Sequence, residues 1–283
     1  MKIITIALIA LFSLSLNAKN MMWKVESEKG TVYVLGSVHI AKESLYPLDS
    51  SIENSYKESD FLVVEVNLND IDPSIMMNEM MLPPDQTLED VVEPETFKKL
   101  SQELAKVGVQ PMQYLRFKPW AATFLIIQSK LSQTGYNMGK GIDKYYLDKA
   151  ARDQRAILEL ESMEFQISMF NEFDKAPGDY LDYSLDNVEE IALTVDDIFK
   201  AWSAGDTTQL SELMFSNMET YPEYERIYEL LLDKRNVNMV KEIEKYLQTS
   251  KTYFVVVGAG HLIGDQGIIK LLDKKKKYKL EQM

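Results

Sequence analysis

The sequence contains only two histidines, and both occur in the same short pattern. Gly36-x-x-His39 and Gly258-x-x-His261 each follow an apolar run directly. Because such a run predicts a buried strand and glycine permits a sharp turn, we expect each imidazole at the carboxyl end of a strand, where α/β folds place their sites. A lone histidine is more often structural or at the surface, but two in one motif favour a shared site for metal binding or proton transfer.

A third candidate is Glu65, which interrupts the apolar segment 61–67. A buried carboxylate is costly unless it is paired, protonated or bound to a metal. If His39, Glu65 and His261 converge, they supply two imidazoles and a carboxylate, a ligand set for Zn, Mn, Fe or Co with positions left open for water and substrate. The alternative is an acid at a frayed strand end that reaches solvent.

Four further polar residues could take part in chemistry at such a site. Asp143 lies at a predicted helix start, where a first-turn carboxylate ordinarily interacts with the helix dipole. Glu161 ends a strand-like segment in the middle of the chain. Arg235 and Asn236 lie in a charged helical segment, where an arginine is normally solvated or salt-bridged, although one beside a metal-bound water could stabilise an oxyanion.

Composition narrows the chemistry further. The 283 residues include no cysteine, which excludes disulfides, thiolate metal sites and a cysteine nucleophile. A formal net charge of −13 argues against nucleic acid as a partner, because phosphate recognition requires clustered lysine and arginine.

The hydropathy pattern predicts a mixed α/β (α+β) fold. Strands are predicted near both termini, and most of the chain between residues 68 and 250 is predicted to be helical. The predicted strands are 22–25, 31–38, 61–67, 155–160, 253–257 and 278–281. The predicted helices are 50–57, 94–107, 120–133, 142–152, 188–204, 207–218, 223–247 and 267–272. We therefore expect a central sheet built from N- and C-terminal strands with a large helical insertion.

The first 18 residues have the features of a secretory signal peptide. Lys2 precedes a short apolar stretch, and Ala18 provides a small residue for cleavage. The stretch is shorter than the roughly 20 apolar residues that span a bilayer. We expect residues 1–18 to be removed, leaving a single domain over residues 19–283 that is periplasmic or secreted and has no stable membrane span. The alternative is an uncleaved N-terminal anchor.

These motifs, taken in order, resemble the TraB/GumN family, which includes the animal Tiki metalloproteases. The segments that carry the resemblance are Gly36-Ser37-Val38-His39, Val64-Glu65, Gly141-Ile142-Asp143, Leu160-Glu161-Ser162 with Gln166, Arg235-Asn236, and residues 258–264 with Gly267. The resemblance implies a fold related to the erythromycin-esterase and ChaN-like group. It also implies a metal site formed by the paired motifs and an acid, and, from the Tiki branch, metal-dependent proteolysis with Mn or Co.

The sequence therefore predicts an exported metal-dependent hydrolase, with a peptidase suggested by the resemblance. We expect His39, Glu65 and His261 to bind a divalent ion (Mn, Co or Zn), and either Glu65 or Glu161 to act as general base. Arg235 is expected to stabilise the oxyanion, and the substrate to be a peptide or small molecule. Two alternatives use the same residues: a non-catalytic protein that binds haem, metal or a peptide signal, and a structural module.

Overall fold

A six-stranded mixed sheet organises the part of the chain that the computed structural model describes, residues 19–173, 177–215 and 228–283. The predicted signal peptide lies outside these residues. The strands are β1 (Met22–Glu26), β2 (Thr31–Ser37), β3 (Phe61–Val64), β4 (Ile157–Glu159), β5 (Thr252–Gly258) and β6 (Lys279–Gln282). Their order across the sheet is β4-β3-β5-β2-β1-β6. The sheet thus combines strands from both ends of the chain, as predicted.

Four neighbouring strands of this sheet run in the same direction. Strand β2 pairs in parallel with β5, β5 with β3, and β3 with β4, whereas β1 is antiparallel to both β2 and β6. The central strands are buried along nearly their whole length, which explains their continuous apolar sequences. The carboxyl ends of the four parallel strands meet at one edge of the sheet, and the chain segments that follow them lie together there.

Helices surround the sheet and form most of the remaining described structure. They are α1 (Ser50–Glu58), α2 (Pro73–Met80), α3 (Leu88–Val91), α4 (Pro94–Lys106), α5 (Pro119–Gln133), α6 (Ile142–Asp153), α7 (Met163–Phe173), α8 (Pro177–Ser203), α9 (Thr207–Phe215), α10 (Lys234–Tyr246) and α11 (Ile268–Lys274). A π-helical turn, Glu229–Asp233, leads directly into α10. No helix within the described ranges is long and apolar enough to cross a membrane.

The core is built around the sheet, with a second cluster among the inserted helices. On one face of the sheet, the ring of Phe254 in β5 lies 5.6 Å from that of Tyr56 in α1 and 4.8 Å from that of Tyr146 in α6. A separate apolar cluster joins α3, α4, α5 and α8. Helices α1 and α6 therefore pack directly on the strands that carry the candidate site.

Most predicted elements agree with the structure, and the differences have local causes. The strand predicted over 61–67 ends at Val64, because the chain turns into a short 3₁₀ helix, Leu68–Asp70. The helix predicted to start at residue 188 starts at Pro177, and the predicted helices do not include α2, α3 and α7. Parts of the helices predicted over 207–218 and 223–247 fall outside the described residues.

The packing of Phe254 yields a first prediction. Its side chain is fully buried between two helices, so we expect Phe254→Ala to lower the free energy of unfolding by about 3–5 kcal/mol. Met112 is 96% exposed, so Met112→Ala should change that free energy by less than about 0.5 kcal/mol. Urea unfolding monitored by circular dichroism measures the free energy of unfolding of both variants. Equal losses of free energy in the two variants would contradict the assignment of Phe254 to the core.

Candidate functional site

The first histidine is held by the contact between the end of β2 and the start of α6. The carbonyl of Val38 accepts a hydrogen bond from the N–H of Ile142 (3.0 Å), the first residue of α6. The approach requires glycine at position 141, because a methyl group there would lie 2.5 Å from the carbonyl oxygen of His39. The N-terminus of α6 is therefore fixed against the turn that carries His39.

This contact gives His39 a carboxylate partner. Its Nδ1 lies 3.0 Å from Oδ1 of Asp143, a first-turn residue of α6 whose charge the helix dipole favours. The Asp143 carboxylate raises the pKa of His39 above its ordinary value, and solvent screens part of this attraction because the His39 side chain is 63% exposed. The hydrogen bond fixes the ring orientation and leaves Nε2 without a bond to Asp143.

The second histidine is buried and held by an asparagine. After β5, the chain forms a 3₁₀ turn, Ala259–His261, and the His261 side chain is only 3% exposed. Its Nδ1 lies 2.6 Å from Oδ1 of Asn236, whose Nδ2 donates to the carbonyl of Gln266 (2.9 Å). Because the amide nitrogen has its own acceptor, Oδ1 faces the ring, and His261 donates through Nδ1–H and keeps its lone pair on Nε2.

The environment of His261 suits a neutral imidazole. Burial lowers its pKa to about 4, so the ring is uncharged at neutral pH. Neutral imidazole is the form that binds metal ions, and a hydrogen bond from its second nitrogen is the arrangement found in most metal-binding histidines.

The acids follow the other two parallel strands. Glu65 comes directly after β3, and Glu161 lies two residues after β4. The N–H of Glu161 donates to the carbonyl of Glu65 (3.0 Å), so the two chains remain adjacent beyond the regular strands. Register between β3 and β4 thus places the two carboxylates side by side.

A single arginine joins these acids. Arg235 in α10 donates through Nε to both Glu161 oxygens (2.9 and 3.1 Å) and through Nη2 to Oε2 of Glu161 (2.7 Å) and of Glu65. Its Nη1 donates to the carbonyl of Leu231 (2.8 Å) in the preceding π-helical turn. Gln166 of α7 adds hydrogen bonds to Oε2 of Glu65 (3.3 Å) and of Glu161 (3.1 Å). We call Glu65, Glu161, Gln166 and Arg235 the charge network.

The charge network is almost completely removed from solvent. The side chains of Glu161, Arg235 and Glu65 are 4%, 8% and 14% exposed. Burial acts to raise the pKa of Glu65, but Arg235, His39 and the N–H of Gly258 together hold that pKa below its ordinary value. Glu65 therefore remains ionised.

Gly258 is the point at which the two histidines and Glu65 meet. Its N–H donates to Oε1 of Glu65 (2.7 Å), which lies 3.7 Å from Nε2 of His261. A methyl group built on Gly258 would lie 3.5 Å from Oε1 of Glu65, 3.6 Å from Cδ2 of His261 and 3.8 Å from Nε2 of His39. The structure thus brings His39, Glu65 and His261 around one small space.

The residues named from the sequence take different places around this space. Asp143 and Asn236 contact the two imidazoles, whereas Glu161 and Arg235 reach the space only through Glu65. Neither the role of Gln166 in the charge network nor the hydrogen bond from Gly258 could be found from spacing alone, although Gln166 lies five residues after Glu161. Each depends on how separate elements pack.

The donors fit a divalent ion in type, and two of them also fit it in spacing. Two donors bound about 2.1 Å from one tetrahedral ion lie about 3.4 Å apart, near the observed 3.7 Å between Oε1 of Glu65 and Nε2 of His261. Among the side chains that the structure describes, however, no three His, Cys, Asp or Glu residues already form a group that could hold a metal ion. An ion would have to draw the exposed His39 ring inward to complete a three-residue set.

The fold and this site together define the class of protein. It is a mixed α/β protein with two strand-terminal histidines and a buried acid–arginine network at the carboxyl edge of the sheet. The chain belongs to the TraB/PrgY/gumN family, whose model matches residues 21–282. The resemblance seen in the sequence is thereby confirmed.

Individual relatives are distant. The chain is 22% identical to the uncharacterized protein YbaP of Escherichia coli K12, over 85% of this chain and 87% of that protein. It is 22% identical to a protein named Metalloprotease TIKI homolog from Amphimedon queenslandica and 21% identical to Metalloprotease TIKI1 from Danio rerio. These matches cover 90% and 92% of this chain but 60% and 62% of the two relatives. No solved structure matches the chain, so the ChaN-like detail of the fold stays a prediction.

The charge network yields a second prediction. Arg235→Met would leave two adjacent carboxylates buried without their cation, so we expect it to lower the free energy of unfolding by about 3–5 kcal/mol. Adding Glu161→Gln to that variant should restore part of the loss, because one buried charge is removed.

Lys200→Met is the matched control. Lys200 pairs with Asp197 at 2.7 Å, but the two side chains are 74% and 52% exposed. Its loss should cost less than about 1 kcal/mol, because exposed pairs contribute little. Chemical denaturation measures all three variants, and equal losses in Arg235→Met and Lys200→Met would show that the charge network does not stabilise the fold.

Proposed function

We propose that this protein is an exported metal-dependent hydrolase of the peptidase type, with its site at the space beside Gly258. The observation that carries the proposal is the convergence of Nε2 of His39, Oε1 of Glu65 and the His261 ring within 4 Å of one point. The named metalloproteases among the distant relatives support peptide bonds as the target. Export is part of the proposal and rests on the sequence of residues 1–18.

In this proposal, His39 and His261 hold the ion through Nε2 and Glu65 through Oε1. The ion would be Mn, Co or Zn, since imidazole and carboxylate ligands suit all three. When bound, such an ion polarises the scissile carbonyl and lowers the pKa of a bound water. Asp143 and Asn236 orient the two imidazoles, which is the usual task of groups that contact the second ring nitrogen.

Solvent exposure indicates how a substrate reaches the site. His39 is 63% exposed and His261 is 3% exposed, so the site opens on the side of His39. A peptide would approach across His39, while His261 and the charge network form the closed floor.

The hydrogen bonds also distinguish Glu65 from Glu161, the two candidates for the general base. Both oxygens of Glu161 accept from Arg235, and one of them also accepts from Gln166, in a side chain that is 4% exposed. Within the described residues, Oε1 of Glu65 accepts one hydrogen bond, from Gly258, and retains a second lone pair. We assign that lone pair to the ion, so we propose that Glu65 acts as a metal ligand and that Glu161 positions Glu65 and Arg235. Solvent on the open side of the site, beside His39, would accept the proton of the attacking water.

The same hydrogen bonds change the role proposed for Arg235. Its Nε, Nη1 and Nη2 all donate to groups within the protein. It contacts Oε2 of Glu65, whereas Oε1 is the oxygen that contacts Gly258. We therefore propose that Arg235 holds the Glu65 carboxylate in place and keeps it ionised, and that it does not contact the substrate oxyanion.

The third prediction tests metal binding and hydrolysis together. Wild-type protein with Mn²⁺ at about 100 times its dissociation constant should gain about 2.7 kcal/mol in stability, visible as a higher melting temperature. His39→Ala and His261→Ala should each remove this gain and the metal-dependent cleavage of an unstructured protein substrate such as casein. Because the shift is measured within each variant, their own stability losses cancel.

Lys251→Ala, at the opposite end of β5, is the matched control and should behave as wild type. Full metal-induced stabilisation and turnover in both histidine variants would refute the proposal. Metal binding without any turnover in the wild-type protein would favour the non-catalytic alternative, and a Soret band on haem titration that His39→Ala abolishes would identify haem as the ligand.

The fourth prediction uses Gly258. An added methyl group would make only ordinary contacts, so Gly258→Ala should change the free energy of unfolding by less than about 1 kcal/mol. Because the methyl group occupies the space among the three donors, the Mn²⁺ affinity measured by calorimetry should fall at least tenfold.

Gly36→Ala gives the opposite pattern. Its methyl group would lie 2.8 Å from Cγ of Met21 and 3.0 Å from Cα of Ala259, away from the donors. It should destabilise the fold by about 1–3 kcal/mol through overpacking while the folded protein keeps its Mn²⁺ affinity. Unchanged affinity in Gly258→Ala would place the ion elsewhere.

A further inference from the structure

One buried hydroxyl beside the site has no partner among the described residues. Ser37 is the last residue of β2 and is only 3% exposed. Its Oγ makes no hydrogen bond within the described structure. A buried hydroxyl without a partner costs free energy, and such a group calls for a ligand or a functional explanation. Its position in the sheet suggests the explanation.

Strand register places Ser37 next to the space beside Gly258. Ser37 pairs with Gly258 across the parallel strands β2 and β5. Paired residues project from the same face of a sheet, with their strands about 4.8 Å apart. The Ser37 side chain therefore projects from the face on which a Gly258 methyl group would contact Glu65, His261 and His39.

Alternation along β2 supports the same placement. Tyr33 shares the face of Ser37, and its hydroxyl bonds Glu58 of α1, which covers that face. Gly36 faces the other way, because its methyl group would contact Met21 and Ala259. Ser37 thus projects toward the side that carries Asp143 and the exposed ring of His39.

The proposed reaction calls for a hydrogen-bond donor to the substrate oxygen. Hydrolysis of an amide forms a tetrahedral intermediate. The water oxygen bonds to the carbonyl carbon, the π pair moves onto the carbonyl oxygen, and the water proton passes to solvent on the open side of the site. The oxyanion gains stability from a fixed hydrogen-bond donor. Arg235 cannot supply it, because its donors are used within the charge network.

We propose that the Ser37 hydroxyl donates a hydrogen bond to the substrate oxygen that becomes negatively charged during hydrolysis. The proposal rests on the proposed function, which supplies the reaction. A serine hydroxyl has one proton to donate, and rotation about its C–O bond directs that proton toward an acceptor. Being buried, it acts where water competes little with the hydrogen bond.

The test compares Ser37→Thr with Ser37→Val. The two replacements have nearly the same shape and differ chiefly in the hydroxyl, so any strain from the extra volume affects both. Ser37→Ala adds a variant with a smaller side chain, in case neither the Thr nor the Val variant folds well. With Mn²⁺ bound, we expect kcat on a casein substrate to fall 100- to 1,000-fold in the Val and Ala variants, and to stay within tenfold of wild type in the Thr variant.

Two binding measurements separate this role from others. The Mn²⁺ affinity should be the same in all variants, because the hydroxyl bonds the substrate oxygen and not the metal. Inorganic phosphate is a tetrahedral anion that resembles the charged intermediate, so its affinity for the Mn²⁺-loaded protein should fall at least tenfold in the Val and Ala variants and persist in the Thr variant.

A structural control and the contrary outcomes complete the experiment. Ser59 is also buried, but its Oγ donates to the carbonyl of Ser55 (2.8 Å), so Ser59→Ala should lower the melting temperature, whereas Ser37→Ala should not. A tenfold loss of Mn²⁺ affinity in the Val and Ala variants would overturn the proposal by making Ser37 a metal ligand. Equal phosphate affinity in the Thr and Val variants would overturn it as well. Because phosphate binding needs no turnover, this result stands even if wild-type protein cleaves no peptide and the proposed function itself fails.

Discussion

The structure depends on one buried interaction, the pairing of Arg235 with Glu65 and Glu161. Two neighbouring carboxylates could not remain ionised away from solvent without a cation, because desolvation and mutual repulsion would drive protons onto them. The guanidinium group satisfies both acids in a fixed geometry, which a lysine could not reproduce. It also ties α10 to the edge of the sheet, and α10 is the helix that holds the second histidine through Asn236.

Compared with an apolar cluster, such a pairing adds little net stability, but it strongly constrains geometry. A buried ion pair loses hydration free energy that its attraction only partly recovers, so an apolar cluster could give a fold of equal stability. What the charge network provides is a permanently negative carboxylate beside a neutral imidazole. That combination has little use in packing a core, and it suits a site that binds a cation.

The site is asymmetric, with one fixed half and one exposed half. His261, Asn236, Glu65 and Arg235 are buried and joined by hydrogen bonds. His39 reaches solvent, and its one side-chain hydrogen-bond partner among the described residues is Asp143. A rigid floor preserves the positions of donors during a reaction, while an exposed ligand can move as substrate enters. Two glycines make both halves possible. A side chain at Gly141 would push α6 away from His39, and one at Gly258 would fill the space between the donors.

The sequence alone determined the strands, the principal helices and the identity of the candidate residues. Apolar runs that end in Gly-x-x-His reveal buried strands and their ends, because burial and chain reversal are local properties of the chain. The sequence could not establish that both oxygens of Glu161 accept hydrogen bonds from Arg235, or that Arg235 also contacts Glu65. Nor could it establish that the Ser37 hydroxyl projects beside Gly258. Each of these depends on strand order and register, which pair residues more than 70 positions apart. Tertiary structure decided them, because the free energy of a buried polar group is set by the partners that folding brings to it.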